Sequence, residues 1–531
     1  MDTDLVSTVL GQARSGPGLP AVKDLDRDLT YGELVHEVGR VALGLGTRGV
    51  GQGDRVALHL PNSVDFVVAA LATMWVGALF VPLAVTDPEA RVEAIVADCD
   101  PVIVITGDDQ PDGDGDAHEG GRRDDDRRGD TAGGTPRLRF AELGSTEGTV
   151  HPLRGVTPEQ PAYAIYTSGT SGSPKGVLIS HGAFAAAVRS TAEVLGLDRN
   201  TRTLCVSPFH FDGSFGTLFP TLFVGGAVVL RPRESLLFPR TFFRAVQREA
   251  ITYTGFSPSY LKLLLASPQL GELGAGTLGI IALGGEASAL TDIRALWAAA
   301  PRVRVFNRYG PTETTIAVTH VELTPELVAD GTVPIGSPHP GVRFHIVDEQ
   351  GRVIEGPDRI GELYIGGSQL MNGYWGAHEL TAKVLRTDVI AGEMLYRSGD
   401  LVYRNRSGHY VYVERADRVI KRSGVRISLI ELADTIRELP GVADAACVVF
   451  DNKGAVGIVA FVVTDRPVTA IELRQGAGRR LPDSMLPDRM EVVLDLPLTT
   501  SSKLDERRLL REAGLRTTGT GAVEDTVPRS A

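Results

Sequence analysis

Residues 167–176 read Thr-Ser-Gly-Thr-Ser-Gly-Ser-Pro-Lys-Gly and follow directly on the apolar run Ala162-Tyr163-Ala164-Ile165-Tyr166. Such a loop offers backbone N–H groups, hydroxyls and one cation, Lys175, as a polyphosphate requires. Its glycines let the main chain approach an anion closely. A P-loop NTPase would need Gly-Lys-Ser/Thr at the end of the loop, where the hydroxyl holds magnesium. Here Pro174 precedes Lys175 and Gly176 follows it, so that assignment is rejected. The chemistry expected of this loop is the holding of phosphates.

Elements must position such a loop. Apolar residues at Leu34, Val35, Val38, Val41, Ala42 and Leu45 repeat at helical spacing after Leu29-Thr30-Tyr31. Val56-Ala57-Leu58-His59-Leu60 reads as a strand stopped by Pro61-Asn62, a helix follows from Ser63 to about Ala78, and Val102–Ile105 is a further strand. This alternation predicts an α/β domain with largely parallel sheets. Short strands with Gly turns crowd residues 333–413. A smaller module begins near Arg415-Ala416-Asp417, with a helix over 428–438, strands over 443–450 and 457–463, a helix over 469–480 and a last stretch near 489–495. Residues 107–137, rich in Asp, Gly and Arg, hold too few apolar groups to offset ordering entropy and are expected to be a disordered insertion. The tail over 516–531 is expected to be disordered likewise.

The stretch Tyr166-Thr167-Ser168-Gly169-Thr170-Ser171-Gly172-Ser173-Pro174-Lys175-Gly176 resembles the phosphate loop of the adenylate-forming superfamily, which includes acyl- and aryl-CoA ligases and the adenylation domains of nonribosomal peptide synthetases. The resemblance recurs in order along almost the whole chain. It runs through Leu29–Leu34, Gly77–Leu83, Phe209–Ser214, Asn307–Thr315, Gly361–Gly367, Tyr396–Ser428 and Ser501–Leu509. It implies a mixed α/β fold. A large N-terminal domain over 1–416, with sheets, packed helices and a small barrel-like part, would be followed by a small mobile α+β domain over 417–515.

It also implies a reaction. A carboxylate oxygen attacks the α-phosphate of ATP and expels pyrophosphate, a step in which positioning and cations do most of the catalysis. By resemblance, Thr167, Ser168, Gly169, Thr170, Ser171, Gly172 and Lys175 hold phosphates, and Gly285, Glu286, Asn307, Arg308, Tyr309 and Gly310 line the nucleotide, with Tyr309 on adenine. Thr312 contacts the α-phosphate. Glu313 binds Mg²⁺, which is content with one carboxylate plus phosphate oxygens and water. Asp400 grips both ribose hydroxyls and Arg415 adds a second ribose contact. Lys503 bridges substrate carboxylate and ATP, since an ammonium on a flexible stem reaches two anions. Taken singly, Asp400, Arg415 and Lys503 would read as surface charges. Asp417 matches the hinge of the small domain, and Gly424 lines the tunnel for a pantetheine thiol. One departure is Ser428, where many peptide-synthetase members carry Glu.

Asp212 matches the aspartate that pairs with the substrate ammonium in amino-acid-activating members; the plain alternative is a helix cap. Phe211, Gly213, Gly216, Gly255, Ala282, Gly284, Arg308, Ile316 and Ala317 carry over as further pocket positions, most of them small. Arg308 either pairs with an acidic or carbonyl group of the substrate or turns away to the protein's own backbone. The expected substrate is an α- or β-amino acid, and the expected partner a separate carrier protein with a phosphopantetheine arm, because no carrier attachment motif follows Lys503. A CoA ligase and a non-catalytic homologue are the competing readings.

Composition sets outer bounds. The 531 residues are too many for one core. A net charge of −12 without a Lys/Arg cluster argues against a nucleic-acid partner. No apolar run reaches membrane-spanning length and the N-terminus lacks a signal-peptide core, so a cytoplasmic setting is expected. Cys99, Cys205 and Cys447 show no metal-ligand spacing and are expected to be buried and reduced.

Overall fold

The structure is a computed structural model, and the residues it describes are 5–108, 135–144, 156–168, 174–416, 419–422, 425–452, 455–481, 486–499 and 504–516. They fall into two compact units. One comprises the described residues up to Ser168 with Pro174–Ser398 and Tyr403–Val411; the other gathers Gly399–Val402 with those from Tyr412 on.

Two mainly parallel sheets build the first unit. The eight-stranded one runs Thr319–Leu323, Arg304–Tyr309, Ile280–Gly284, Tyr253–Phe256, Arg202–Cys205, Ala227–Leu230, Pro20–Lys23, Asp28–Thr30, with only its outermost pairs antiparallel. The inner strands Tyr253–Phe256 and Ala227–Leu230 are buried along their whole length, as a sheet covered on both faces demands. The seven-stranded sheet holds Arg55–His59, Leu79–Pro82 and Ile103–Thr106 in parallel, continues through the antiparallel pair Pro161–Ser168 and Pro174–Ser180, and ends on Gly373–Tyr374. Helix Tyr31–Thr47 begins at a capping box in which Thr30 and Glu33 satisfy each other's backbone N–H. Helix Val64–Trp75 is buried on every side, so its sequence carries little amphipathic signal. Phe66, Phe80, Tyr163, Phe184, Phe215 and Phe219 interlock at ring centroid spacings of 4.9–6.4 Å around it. The strand-rich region after residue 333 forms a five-stranded sheet of Val342–Val347, Gly361–Gly367, Leu395–Arg404, Leu385–Arg386 and Tyr410–Arg415.

The segment read as an insertion over 107–137 is described at both ends. Arg137–Arg139 adds a parallel edge strand to Ile103–Thr106, and Asp108 accepts a hydrogen bond from the Ala141 N–H, so the regular chain resumes sooner than composition suggests. Residues 109–134 lie outside the described residues, as do 517–531 of the tail.

The second unit contains a three-stranded sheet in which Val442–Asn452 pairs antiparallel, and Arg489–Val493 parallel, with Ala455–Thr464. Alternate residues face opposite ways. Ala445, Cys447, Ile458, Ala460 and Val462 pack with Leu432, Ile436 and Leu473 of helices Leu429–Arg437 and Ala470–Gly478. Val448, Phe450, Val459 and Phe461 pack with Leu509 and Leu510 of helix Glu506–Glu512. All three cysteines are buried and unpaired.

Candidate active site

Three parallel strands end side by side in the first unit, in the register Gly255↔Ala282↔Phe306 and Gly284↔Arg308. Ligand sites of α/β sheets lie at such carboxyl ends. A methyl carbon on Gly284 would stand 2.3 Å from the Arg308 Cγ, on Gly216 3.1 Å from Nη1 and on Gly255 3.5 Å from Nη1. The glycines therefore make the space the guanidinium occupies. Arg308 is 8% exposed, and its Nη1 has no hydrogen-bond partner. Thr217 Oγ1, 2.9 Å from where a Gly255 Cβ would sit, is buried and unpartnered too. Ala282 packs with Leu195, Tyr253 and Phe306.

Asp212 opens helix Asp212–Phe223, just after the Phe211 N-cap. Its carboxylate does not cap that helix. The Thr312 side chain and the Ile316 N–H, from a loop a hundred residues away in sequence, favour its charged form. The residue is half-buried, yet Oδ2 is sealed from solvent and accepts nothing. Burial pushes this carboxyl up to about 6; the Thr312 hydrogen bond opposes the rise and the Glu313 carboxylate adds to it. Arg308 attracts it only weakly, and the two charges form no ion pair.

The loop that supplies Thr312 and Ile316 is strained. After a single 3₁₀ turn over Thr312–Thr314, Thr315 and Ile316 adopt φ of 60° and 69°, a left-handed conformation costly for β-branched residues. Gln369, 1% exposed, holds them there: its Nε2 donates to the Ala317 carbonyl at 2.7 Å and the Thr315 carbonyl at 3.2 Å. The Thr315 hydroxyl donates back to the Gln369 carbonyl at 2.8 Å. Behind Gln369 stands His339, its Nδ1 3.2 Å from Oε1, and behind that His320, Nδ1 to His339 Nε2 2.9 Å. Burial holds both imidazoles below their ordinary range, His339 at about 4, so the chain is neutral near neutrality. Gly310 admits no side chain, because a Cβ there would lie 2.5 Å from Ala317 Cα.

Tyr374 is a second residue that sequence reasoning missed. Its hydroxyl donates to Glu313 Oε1 at 2.6 Å, and the Lys175 ammonium lies 5.9 Å from its ring centroid. Gly373–Tyr374 pairs with the strand Pro174–Ser180, and Met371 N donates to the Glu313 carbonyl, so one short strand ties Glu313 to the strand that carries Lys175. Glu313 is thus an oriented carboxylate, a donor that fits Mg²⁺ shared with phosphate oxygens. Among the described residues no cluster of three or more His, Cys, Asp or Glu could hold a metal on its own.

Other predicted positions fall as follows. Thr167 pairs with Lys175 across the hairpin whose tip would be the phosphate loop, and Ser168 ends its first strand. Asn307 is buried, its Nδ2 donating to the Pro334 carbonyl and its Oδ1 accepting from Ser288. Tyr309 meets Phe344 edge-on at 6.5 Å. Gly285 takes a φ of 88°. Glu286 accepts from the N–H and hydroxyl of Ser259, in the first turn of helix Pro258–Leu265. In the second unit, Asp400 is buried 3.4 Å from Arg415 Nη1. Gly169, Thr170, Ser171, Gly172, Asp417, Gly424 and Lys503 lie outside the described residues.

Comparison with known proteins places these features in a wider set. Residues 10–375 match the family of AMP-binding enzymes, and residues 431–503 match the AMP-binding enzyme C-terminal domain. The chain is 33% identical over 502 residues to an L-proline--[L-prolyl-carrier protein] ligase of Streptomyces coelicolor, covering 91% of each. It is 31% identical to surfactin synthase subunit 1 of Bacillus subtilis, where 92% of this chain covers 13% of that protein. A crystal structure of a holo four-domain nonribosomal peptide synthetase bound to AMP and glycine superposes with a TM-score of 0.80 at 27% identity, over 99% of this chain and 37% of that one. The chain thus spans nearly all of the first relative and a small part of the multidomain ones.

Proposed function

The chain belongs to the family of AMP-binding enzymes, and from that premise we propose that this AMP-forming ligase activates an amino acid and passes it to a carrier protein. The observation that carries the amino-acid reading is Asp212 Oδ2, a carboxylate oxygen sealed from solvent with no donor of its own. A buried anion of this kind is stabilised by a cation, and the ammonium of an amino acid is the cation such a substrate brings.

In this reading a substrate carboxylate oxygen attacks the α-phosphorus of ATP. The bond to pyrophosphate breaks, leaving aminoacyl-AMP. The hairpin Thr167–Lys175 cradles phosphates, Thr312 reaches the α-phosphate, Glu313 holds Mg²⁺, and Tyr309 faces the adenine. Mg²⁺, when bound, neutralises phosphate charge as it develops. Asp400 and Arg415 bind the ribose, and Lys503 supplies a cation between the two reacting anions. The small domain over 417–515 acts as the lid. In the second half-reaction the pantetheine sulfur attacks the acyl carbon and AMP leaves, with Asp417 as hinge and Gly424 along the thiol path. The relative from Streptomyces coelicolor, a carrier-protein ligase of the same span, favours a carrier over CoA as acceptor.

ATP–pyrophosphate exchange with amino acids and their amine-free counterparts tests the proposal, followed by mass measurement of CoA and of a phosphopantetheinylated carrier as acceptors. Amino acids alone should drive exchange, and the carrier should gain the acyl mass. Exchange driven by amine-free acids alone would overturn the reading of Asp212.

A further inference from the structure

Arg308 is charged, more than nine-tenths buried, and its Nη1 has no partner. It does not turn back to the protein's own carbonyls. Its side chain lies across Gly284 and ends among Gly213, Gly216 and Gly255, where added methyl carbons would stand 3.1–3.7 Å from its terminal nitrogens. Evicting a cation's water without replacing it is costly, and Gly284 and Gly216, where an added methyl carbon would crowd Arg308 at 2.3 Å and 3.1 Å, keep that costly arrangement open. On the same face Asp212 Oδ2 is likewise unpartnered, and the two opposite charges do not cancel each other in an ion pair. A pocket with one orphan anion and one orphan cation is complementary to a ligand that carries both signs beyond the carboxylate being activated.

We propose that Arg308 binds a second anionic group on the substrate, so that the enzyme selects an amino acid carrying an additional carboxylate. The inference rests on the amino-acid reading for its ammonium half and on Arg308 alone for its acidic half. A guanidinium presents paired N–H donors in the plane that a carboxylate matches, and an amide in place of the carboxylate would keep the shape but lose the charge.

The test is pyrophosphate exchange with isosteric pairs: aspartate against asparagine, glutamate against glutamine, and the corresponding β-amino diacids, with malonate and succinate as amine-free diacids. In the native enzyme the acidic member of at least one pair should exceed its amide by about 10- to 100-fold in kcat/KM. In Arg308→Gln that ratio should fall towards one. Amides or neutral amino acids exchanging as well as every acidic amino acid would overturn the proposal without any variant having to fold. If amine-free diacids exchange as well as amino diacids, the role of Arg308 stands while the reading of Asp212 falls. If neutral amino acids alone exchange, Asp212 stands and Arg308 falls.

Discussion

Two neighbouring parts of the first unit treat polar groups in opposite ways. Around Asp212 and Arg308, buried atoms are left without partners: Oδ2, Nη1 and Thr217 Oγ1. Around Gln369, a buried side-chain amide reaches the Thr315 and Ala317 carbonyls, while the residue's main-chain carbonyl accepts from Thr315 and its Oε1 meets His339. Both carry a cost in isolation, the first through desolvation and the second through left-handed β-branched residues. The difference lies in what offsets it. The clamp is balanced within the protein, so it fixes backbone; the pocket is balanced only by something that enters it, so it selects.

Breaking the pocket should therefore be felt in catalysis and breaking the clamp in stability. The largest effect is expected for Asp212→Asn, which removes the charge that meets the ammonium. Its kcat/KM for the best amino acid in pyrophosphate exchange should fall by about 10³-fold, with the melting temperature unchanged or raised. The pH profile sharpens the point. Because the carboxyl titrates at about 6 in the folded protein, above its ordinary 3.8, burial favours the protonated form. Its effect on stability is most favourable below 3.8 and is lost as pH rises through about 6, whereas ammonium binding needs the ionised form. Log kcat/KM should thus climb towards pH 6 and level off above it, and this limb should vanish in Asp212→Asn.

Gln369→Leu comes next. It leaves the Ala317 and Thr315 carbonyls without their donor and should cost about 2–3 kcal/mol in denaturant unfolding, with roughly a tenfold rise in amino-acid KM as Ile316 and Thr312 drift from Asp212. A variant of full stability would mean the loop holds its own conformation. The smallest effect is expected for Tyr374→Phe, which removes one hydrogen bond to Glu313. The Mg²⁺ concentration needed for half-maximal exchange should rise by about 3- to 10-fold, with stability within about 1 kcal/mol of native.

The pocket was far more legible in the sequence than the clamp. Asp212, Thr312 and Arg308 sit inside short motifs whose order along the chain could be recognised, and the glycines at 213, 216, 255 and 284 announce room. The alternation over 442–464 and the helical spacing after Tyr31 gave the elements within a few residues, since one buried face or two leave a plain period. Gln369 and His339 carry no such mark. A polar residue between Gly367 and Asn372 reads as turn, and its partners lie 30 and 52 to 54 residues away, joined only by the fold.

The described residues over 427–515 bury apolar side chains in two clusters of their own, one on each side of a three-stranded sheet. A body built that way can rotate whole, for no leucine or phenylalanine of its clusters has to leave its neighbours when it turns. It can also be exchanged whole: grafted between related chains, it would bring its interior along.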